Sequence, residues 1–118
     1  MTALSTTTVE QLLAVARVRL RRLSPEQADA AARAGGPLID IRSESERQRD
    51  GVIPGSRFIA RNVFEWRCDS SSDSCDPKVV GHPDRQLIVI CNGGYQSSLV
   101  AATLQRFGFA DATDVIGG

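Results

Sequence analysis

The chain has 118 residues, 42% of them hydrophobic, and its fourteen basic and fourteen acidic side chains cancel. That length suits one domain with a core, near the lower end for an open α/β sheet covered on both faces. The charge balance gives no reason to expect nucleic acid or an anionic membrane as partner, and no apolar run is long enough for a membrane span.

The polar start Met1–Thr8 lacks the basic and hydrophobic regions of a signal peptide. Three cysteines, an odd number, fit a reducing compartment better than a disulfide scaffold, so a cytoplasmic location is the expectation. Thr7 and Glu10 form a capping box ahead of an amphipathic helix over 9–16, the bulk of an N-terminal extension covering 1–17. The main domain then spans 18–118, opening with Val18 to Leu23, where apolar residues alternate with arginine as in a half-exposed edge strand. Ser24, Pro25 and Gln27 start a helix by three signals, a serine cap, proline at the first helical position and glutamine at the third, and Gly35–Gly36 ends it.

Leu38–Ile41 has the apolar character of a buried parallel strand. It feeds a helix capped by Ser43 with Glu46, with Glu44 and Glu46 in its first turn, Arg47 and Arg49 in its last, and Gly51 as its stop. Pro54–Gly55 is a turn, Arg57–Ala60 a short strand, and Val63–Arg67 a helical turn carrying Trp66. Cys68 to Asp84 is rich in serine and aspartate, contains Pro77 and Pro83, and reads as a mobile surface loop. After the apolar strand Leu87–Cys91, residues Val100, Leu104 and Phe107 share one face of a helix that Gly108 stops, and Asp114–Ile116 is a last strand. Helix and strand alternate throughout. With right-handed crossovers this is an α/β fold, an open, mostly parallel central sheet with helices on both faces.

The segment Leu87-Ile-Val-Ile-Cys91-Asn-Gly-Gly-Tyr-Gln-Ser-Ser-Leu99 sets a thiol at the carboxyl end of a buried strand, where open α/β sheets place their chemistry. Gly93 and Gly94 allow positive φ, so successive N–H groups can converge as an anion nest, and the helix from about Ser97 adds the positive end of its dipole. Both effects favour a thiolate, which is the nucleophilic form. An inert core cysteine needs no such nest, so Cys91 is the candidate nucleophile.

The chain resembles the single-domain rhodanese-like sulfurtransferases. The resemblance rests on Pro37-Leu-Ile-Asp-Ile-Arg42, Gly51-Val-Ile-Pro-Gly55, Cys91-Asn-Gly-Gly-Tyr-Gln-Ser97 and Thr113-Asp-Val-Ile-Gly-Gly118, in that order, and covers about 18–118. It implies a rhodanese-like strand order with the cysteine strand central. It also implies a cysteine that takes a sulfane sulfur from a donor, holds it as a persulfide and passes it to a thiophilic acceptor. Carried over here, Cys91 is the nucleophile, and Asn92, Gly93, Gly94, Tyr95, Gln96 and Ser97 form the loop that binds substrate and persulfide. Partners so implied are a small-molecule sulfur donor, a thiol or cyanide-like acceptor and a protein sulfur acceptor, with no metal or organic cofactor.

Several positions depart from the family pattern. Thiosulfate-using relatives place Arg or Lys where this chain has Asn92 and Gln96, so a dianionic donor loses charge-assisted hydrogen bonds worth about 1.5–3 kcal/mol each. Arg61 resembles an arginine that relatives place near the pocket and is the candidate replacement cation, or else an ordinary solvated arginine. Asp40 and Arg42 match the family's Asp-x-Arg element. A carboxylate in an apolar run needs a partner, so Asp40 is expected to accept bonds from Arg42 or from the active-site loop and to be structural. Where relatives carry a histidine in the Gly-Ile-Pro-Gly turn, this chain has Val52. Relatives also continue past the Gly-Gly into a closing helix, which the sequence to Gly118 does not contain.

Cys68 and Cys75 invite a redox-sensitive disulfide or a resolving thiol for Cys91; the plainer alternative is two exposed thiols in a flexible segment. A zinc site is disfavoured, because the single histidine, His82, precedes Pro83 in a loop. Two other functional classes compete with a sulfurtransferase. One is a sulfur-carrier or protein-binding module without turnover. The other is a phosphatase or arsenate reductase, which wants Cys, five residues and then Arg to grip the oxyanion; here that position is Ser97.

Overall fold

The computed structural model describes residues 6–81 and 84–118; His82 and Pro83 lie outside them. In chain order the elements are α1 (Val9–Val18), α2 (Pro25–Arg33), β1 (Leu38–Asp40), α3 (Glu44–Asp50), β2 (Arg57–Phe58), a 3-10 turn at Arg61–Val63 leading into α4 (Phe64–Arg67), α5 (Pro77–Val80), β3 (Ile88–Ile90), α6 (Gln96–Arg106) and β4 (Thr113–Asp114). The strands pair in the order β2-β1-β3-β4, all parallel, which makes this the expected open α/β sheet. β3 is internal, and its carboxyl end delivers Cys91. No described helix is long and apolar enough to cross a membrane.

Strand periodicity divides the core. Leu87, Val89 and Cys91 point to one face, into a cluster with Ile39, Ile41, Phe64, Val100 and Leu104, while Ile88 and Ile90 point to the other, against Ala28, Leu38 and Val115. Buried on both faces, the strand is apolar throughout. α1 packs against α6 through its buried residues Leu13 and Ala16.

Helix starts follow side-chain chemistry. Ser24 with Gln27 and Ser43 with Glu46 form the expected capping boxes. The cap of α1 is one residue later than expected: Thr8 accepts from the Gln11 N–H at 3.1 Å and its own N–H donates to Gln11 Oε1 at 2.8 Å. A glutamine one position after Glu10 completes the same box, and the helix then runs on through Val18.

The expected edge strand over 18–23 is not formed. Only Leu23 pairs, in a parallel bridge to Val115, because Arg22 turns inward to a buried carboxylate instead of alternating outward. The loop reading of 68–84 also needs correction. Asp76 is buried, caps α5, and pairs with Arg57 and with Arg67 (3.8 Å), so Cys68 and Val79 reach the core. Phe107 is 40% exposed; α6 ends there, and the buried aromatic is Phe109, after the positive-φ turn at Gly108.

Candidate active site

Cys91 follows β3 directly and is 7% exposed. The chain then turns through Gly94, whose φ of 76° is costly for any residue with a Cβ. A Cβ there would also lie 2.7 Å from the Gly117 nitrogen. Gly93, also expected to curl with positive φ, does not; a Cβ on it would press the Tyr95 ring at 3.1 Å. A Cβ on Gly118 would meet the carbonyl oxygens of Cys91 and Asn92. The terminal glycine pair is therefore the surface on which the loop rests.

Two N–H groups converge on the sulfur, Gly94 at 3.2 Å and Ser97 at 3.4 Å. Ser97 is in the first turn of α6, whose cap residue Tyr95 offers no side-chain acceptor. The sulfur serves instead as acceptor for that helix end. Burial by itself pushes the Cys91 thiol up, but the Ser97 hydroxyl and the N–H groups of Ser97, Gly93 and Gly94 outweigh it and hold the thiol below its ordinary value.

A second layer stands behind the loop. The Ser97 and Ser98 hydroxyls both donate to Asp114 Oδ2, at 2.8 and 2.7 Å. Asp114 is fully buried and takes the Arg22 guanidinium in a two-pronged pair, Nε to Oδ1 at 2.9 Å and Nη2 to Oδ2 at 3.2 Å. Arg22 Nη2 and Arg17 Nη2 each donate to the Gly94 carbonyl oxygen, at 2.9 and 2.8 Å. The sequence reading did not single out Asp114, Ser98, Arg17 or Arg22. A signal existed, since a carboxylate in an apolar final strand requires a buried cation or hydroxyl partners.

Cys91 opens onto a cavity of about 590 Å³ that also takes in Asn92, Tyr95 and Gln96, together with Arg42 after β1, Glu46 of α3 and Arg61 of the 3-10 turn. Tyr95 is 63% exposed and stands at the mouth. Of the expected loop residues, Asn92, Gly93, Tyr95 and Gln96 share this pocket with Arg61, while Gly94 and Ser97 are buried behind it. Arg61 is held by Glu65 at 3.6 Å and lies over the Phe64 ring at 4.8 Å. Arg42 points its guanidinium at Asp40, Nε to Oδ1 at 3.1 Å and Nη2 to Oδ2 at 2.9 Å, while its N–H also donates to Oδ1 and Arg47 Nε to Oδ2 at 3.2 Å. Burial raises the Asp40 carboxyl, yet these Arg42 and Arg47 contacts bring it below its usual range. Its partners are Arg42 and Arg47, not the cysteine loop.

Cys68 and Cys75 are unpaired, so no disulfide joins them. Cys68 is not an exposed thiol: it is 1% exposed, and burial together with nearby Asp76 pushes it up to about 12. Such a thiol is inert at neutral pH.

Residues 24–118 match the rhodanese-like domain family. The chain is 34% identical over 98 residues to a thiosulfate sulfurtransferase GlpE of Stutzerimonas stutzeri, covering 83% of this chain and 80% of that one. It is 31% identical over 102 residues to the GlpE of Pseudomonas syringae, covering 83% and 82%. A Rhodopseudomonas palustris protein of unknown function, described as a possible tyrosine phosphatase, superposes with a TM-score of 0.88 at 30% identity, covering 100% of this chain and 90% of that one. The fold, the ordered motifs and these likenesses agree, and the chain belongs to the rhodanese-like family.

Proposed function

We propose that the protein is a sulfurtransferase that carries a sulfane sulfur on Cys91. The observation that carries this reading is the convergence of the Gly94 and Ser97 N–H groups on the cysteine sulfur beside an open cavity. In the first half-reaction the Cys91 thiolate attacks the sulfane sulfur of a donor. A new S–S bond forms, the donor's own bond to that sulfur breaks, and its electron pair leaves with sulfite or a thiolate. In the second, a thiophilic acceptor attacks the outer sulfur of the persulfide and the electron pair returns to Cys91. One hard transfer becomes two easier ones, and the same N–H groups receive the anion in each resting state.

The pocket's charges argue for a weakly charged donor. The loop offers Asn92, Tyr95 and Gln96, and the pocket cations Arg42 and Arg61 are engaged with Asp40 and Glu65. Glu46 adds negative charge to the rim. A persulfide such as glutathione persulfide, whose reacting sulfur pair carries at most one negative charge and no sulfonate, is therefore a better donor than thiosulfate, whose two charges sit on the reacting group itself.

Thiocyanate formation from cyanide tests this with thiosulfate and with glutathione persulfide, comparing wild type with Cys91→Ser. Turnover that requires Cys91 and is faster with the persulfide is expected. Sulfur loading without turnover indicates a carrier module instead. Cys91-dependent hydrolysis of p-nitrophenyl phosphate without sulfur transfer sinks the proposal in favour of a phosphatase, a reading that Ser97 in place of an arginine already disfavours.

A further inference from the structure

The Cys91 loop has no charged side chain, yet two guanidinium groups close on its backbone. Gly94 gives its N–H to the sulfur, and its carbonyl oxygen accepts from Arg17 and Arg22. Arg22 is neutralised by Asp114. Arg17 has no carboxylate within ion-pair distance among the described residues. Its Nε donates to Ser98 Oγ at 3.0 Å, and its guanidinium lies 5.8 Å from the centre of the Tyr95 ring. Arg17 stands in the last turn of α1, and both arginines precede residue 24, where the match to the family begins.

We propose that Arg17 is a positioning residue of the Cys91 site, which makes the N-terminal helix part of the sulfur-carrying machinery. Its contacts with Gly94 O, Ser98 Oγ and the Tyr95 ring fall on the loop around the sulfur and on the first turn of α6 that follows it. By holding the Gly94 carbonyl it fixes the left-handed turn that aims the Gly94 N–H at the sulfur. It also sets an unpaired positive charge next to that turn, replacing from behind the cations the loop lacks in front. The charged groups around the sulfur are Arg42 with Asp40, Arg61 with Glu65, and Glu44 and Glu46 on the pocket side; behind stand Arg22 with Asp114, and Arg17. Among these cations Arg17 alone lacks a carboxylate partner, so its removal takes away a positive charge without leaving a buried carboxylate unpaired. The proposal rests on Cys91 being the reactive thiol.

The test is alkylation of Cys91 by iodoacetamide across pH in the full chain, read peptide by peptide so that Cys68 and Cys75 are scored apart. Wild type should show the profile of a low thiol. Arg17→Ala should lose roughly three- to tenfold in rate near neutral pH and converge with wild type at alkaline pH, where both are thiolate. Arg17→Lys, which keeps the charge, should recover part of that loss. Arg19→Ala, which removes a neighbouring charge of the same sign, should match wild type. If Arg17→Ala melts below the assay temperature, Arg17→Gln, which keeps donors for Gly94 without the charge, is read in its place. An unchanged profile in the Arg17 variant, whatever its Tm, overturns the proposal alone. A wild-type profile in the ordinary thiol range overturns it together with the thiolate basis of the sulfurtransferase reading.

Discussion

The Ser97 hydroxyl donates to Asp114 at 2.8 Å while the Ser97 N–H points at the Cys91 sulfur at 3.4 Å, so one residue joins the candidate nucleophile to a buried carboxylate. The hydroxyl has a single proton, which it gives to Asp114; turned to the sulfur instead, it favours the thiolate form. Asp114 keeps Ser98 and Arg22 if Ser97 turns away.

Ser97→Ala removes the hydroxyl but not the N–H. Cys91 alkylation should slow severalfold at neutral pH and recover at alkaline pH. Stability should fall by only about 1 kcal/mol, because Asp114 retains other donors. A pH-independent loss of rate would mean that the hydroxyl acts on geometry and not on ionisation.

Gly94→Ala must place a Cβ at φ 76° and 2.7 Å from the Gly117 nitrogen. It should cost about 2 kcal/mol or more and abolish rapid Cys91 modification. Gly55→Ala, at φ 81° in open space, should cost about 1 kcal/mol and leave Cys91 unaffected. Urea denaturation of both, with alkylation alongside, checks the pair.

Gly94 belongs to a loop that local sequence marks, whereas the layer behind it is assembled from distant parts of the chain. The Cys91 loop was legible because a β-branched run, two glycines and a helix start are local signals. Asp40 was legible as a carboxylate in need of a partner, and its tie to Arg42 follows from a spacing of two residues. Arg17, Arg22 and Asp114 were not, since their meeting joins α1, the chain after it and β4 across more than 70 residues, and alternation had put Arg22 on an outward edge. Asp76 was missed for the same reason: its serine-rich neighbours describe a loop, while its partner Arg57 lies on β2.

Asp40→Ala leaves the Arg42 guanidinium, 9% exposed in its side chain, without its carboxylate. A loss of about 3–5 kcal/mol is expected, seen as a large fall in Tm, with Cys91 in the remaining folded protein alkylated no more slowly than in wild type. Normal melting with lost reactivity would contradict the structural role of Asp40.

Cys68 links the core to alkaline pH. Its thiol is raised to about 12 in the fold against 9.0 as the ordinary value, so above that value the unfolded chain has released a proton the folded chain still binds. Stability due to this group is complete below pH 9.0 and is lost as pH rises toward about 12. Cys68→Ala should begin less stable, from the cavity it leaves, and decline less steeply over that window. Parallel declines in a urea series would remove Cys68 as a source of alkaline sensitivity.

The central claim, a sulfur-carrying Cys91 thiolate, is tested most directly by intact-protein mass spectrometry. Wild type and Cys91→Ser would be incubated separately with thiosulfate, glutathione persulfide and mercaptopyruvate, then challenged with cyanide. A gain of one sulfur that requires Cys91, is largest with the persulfide and is discharged by cyanide is the predicted result. No sulfur uptake from any donor by a folded protein with a free Cys91 thiol would contradict it.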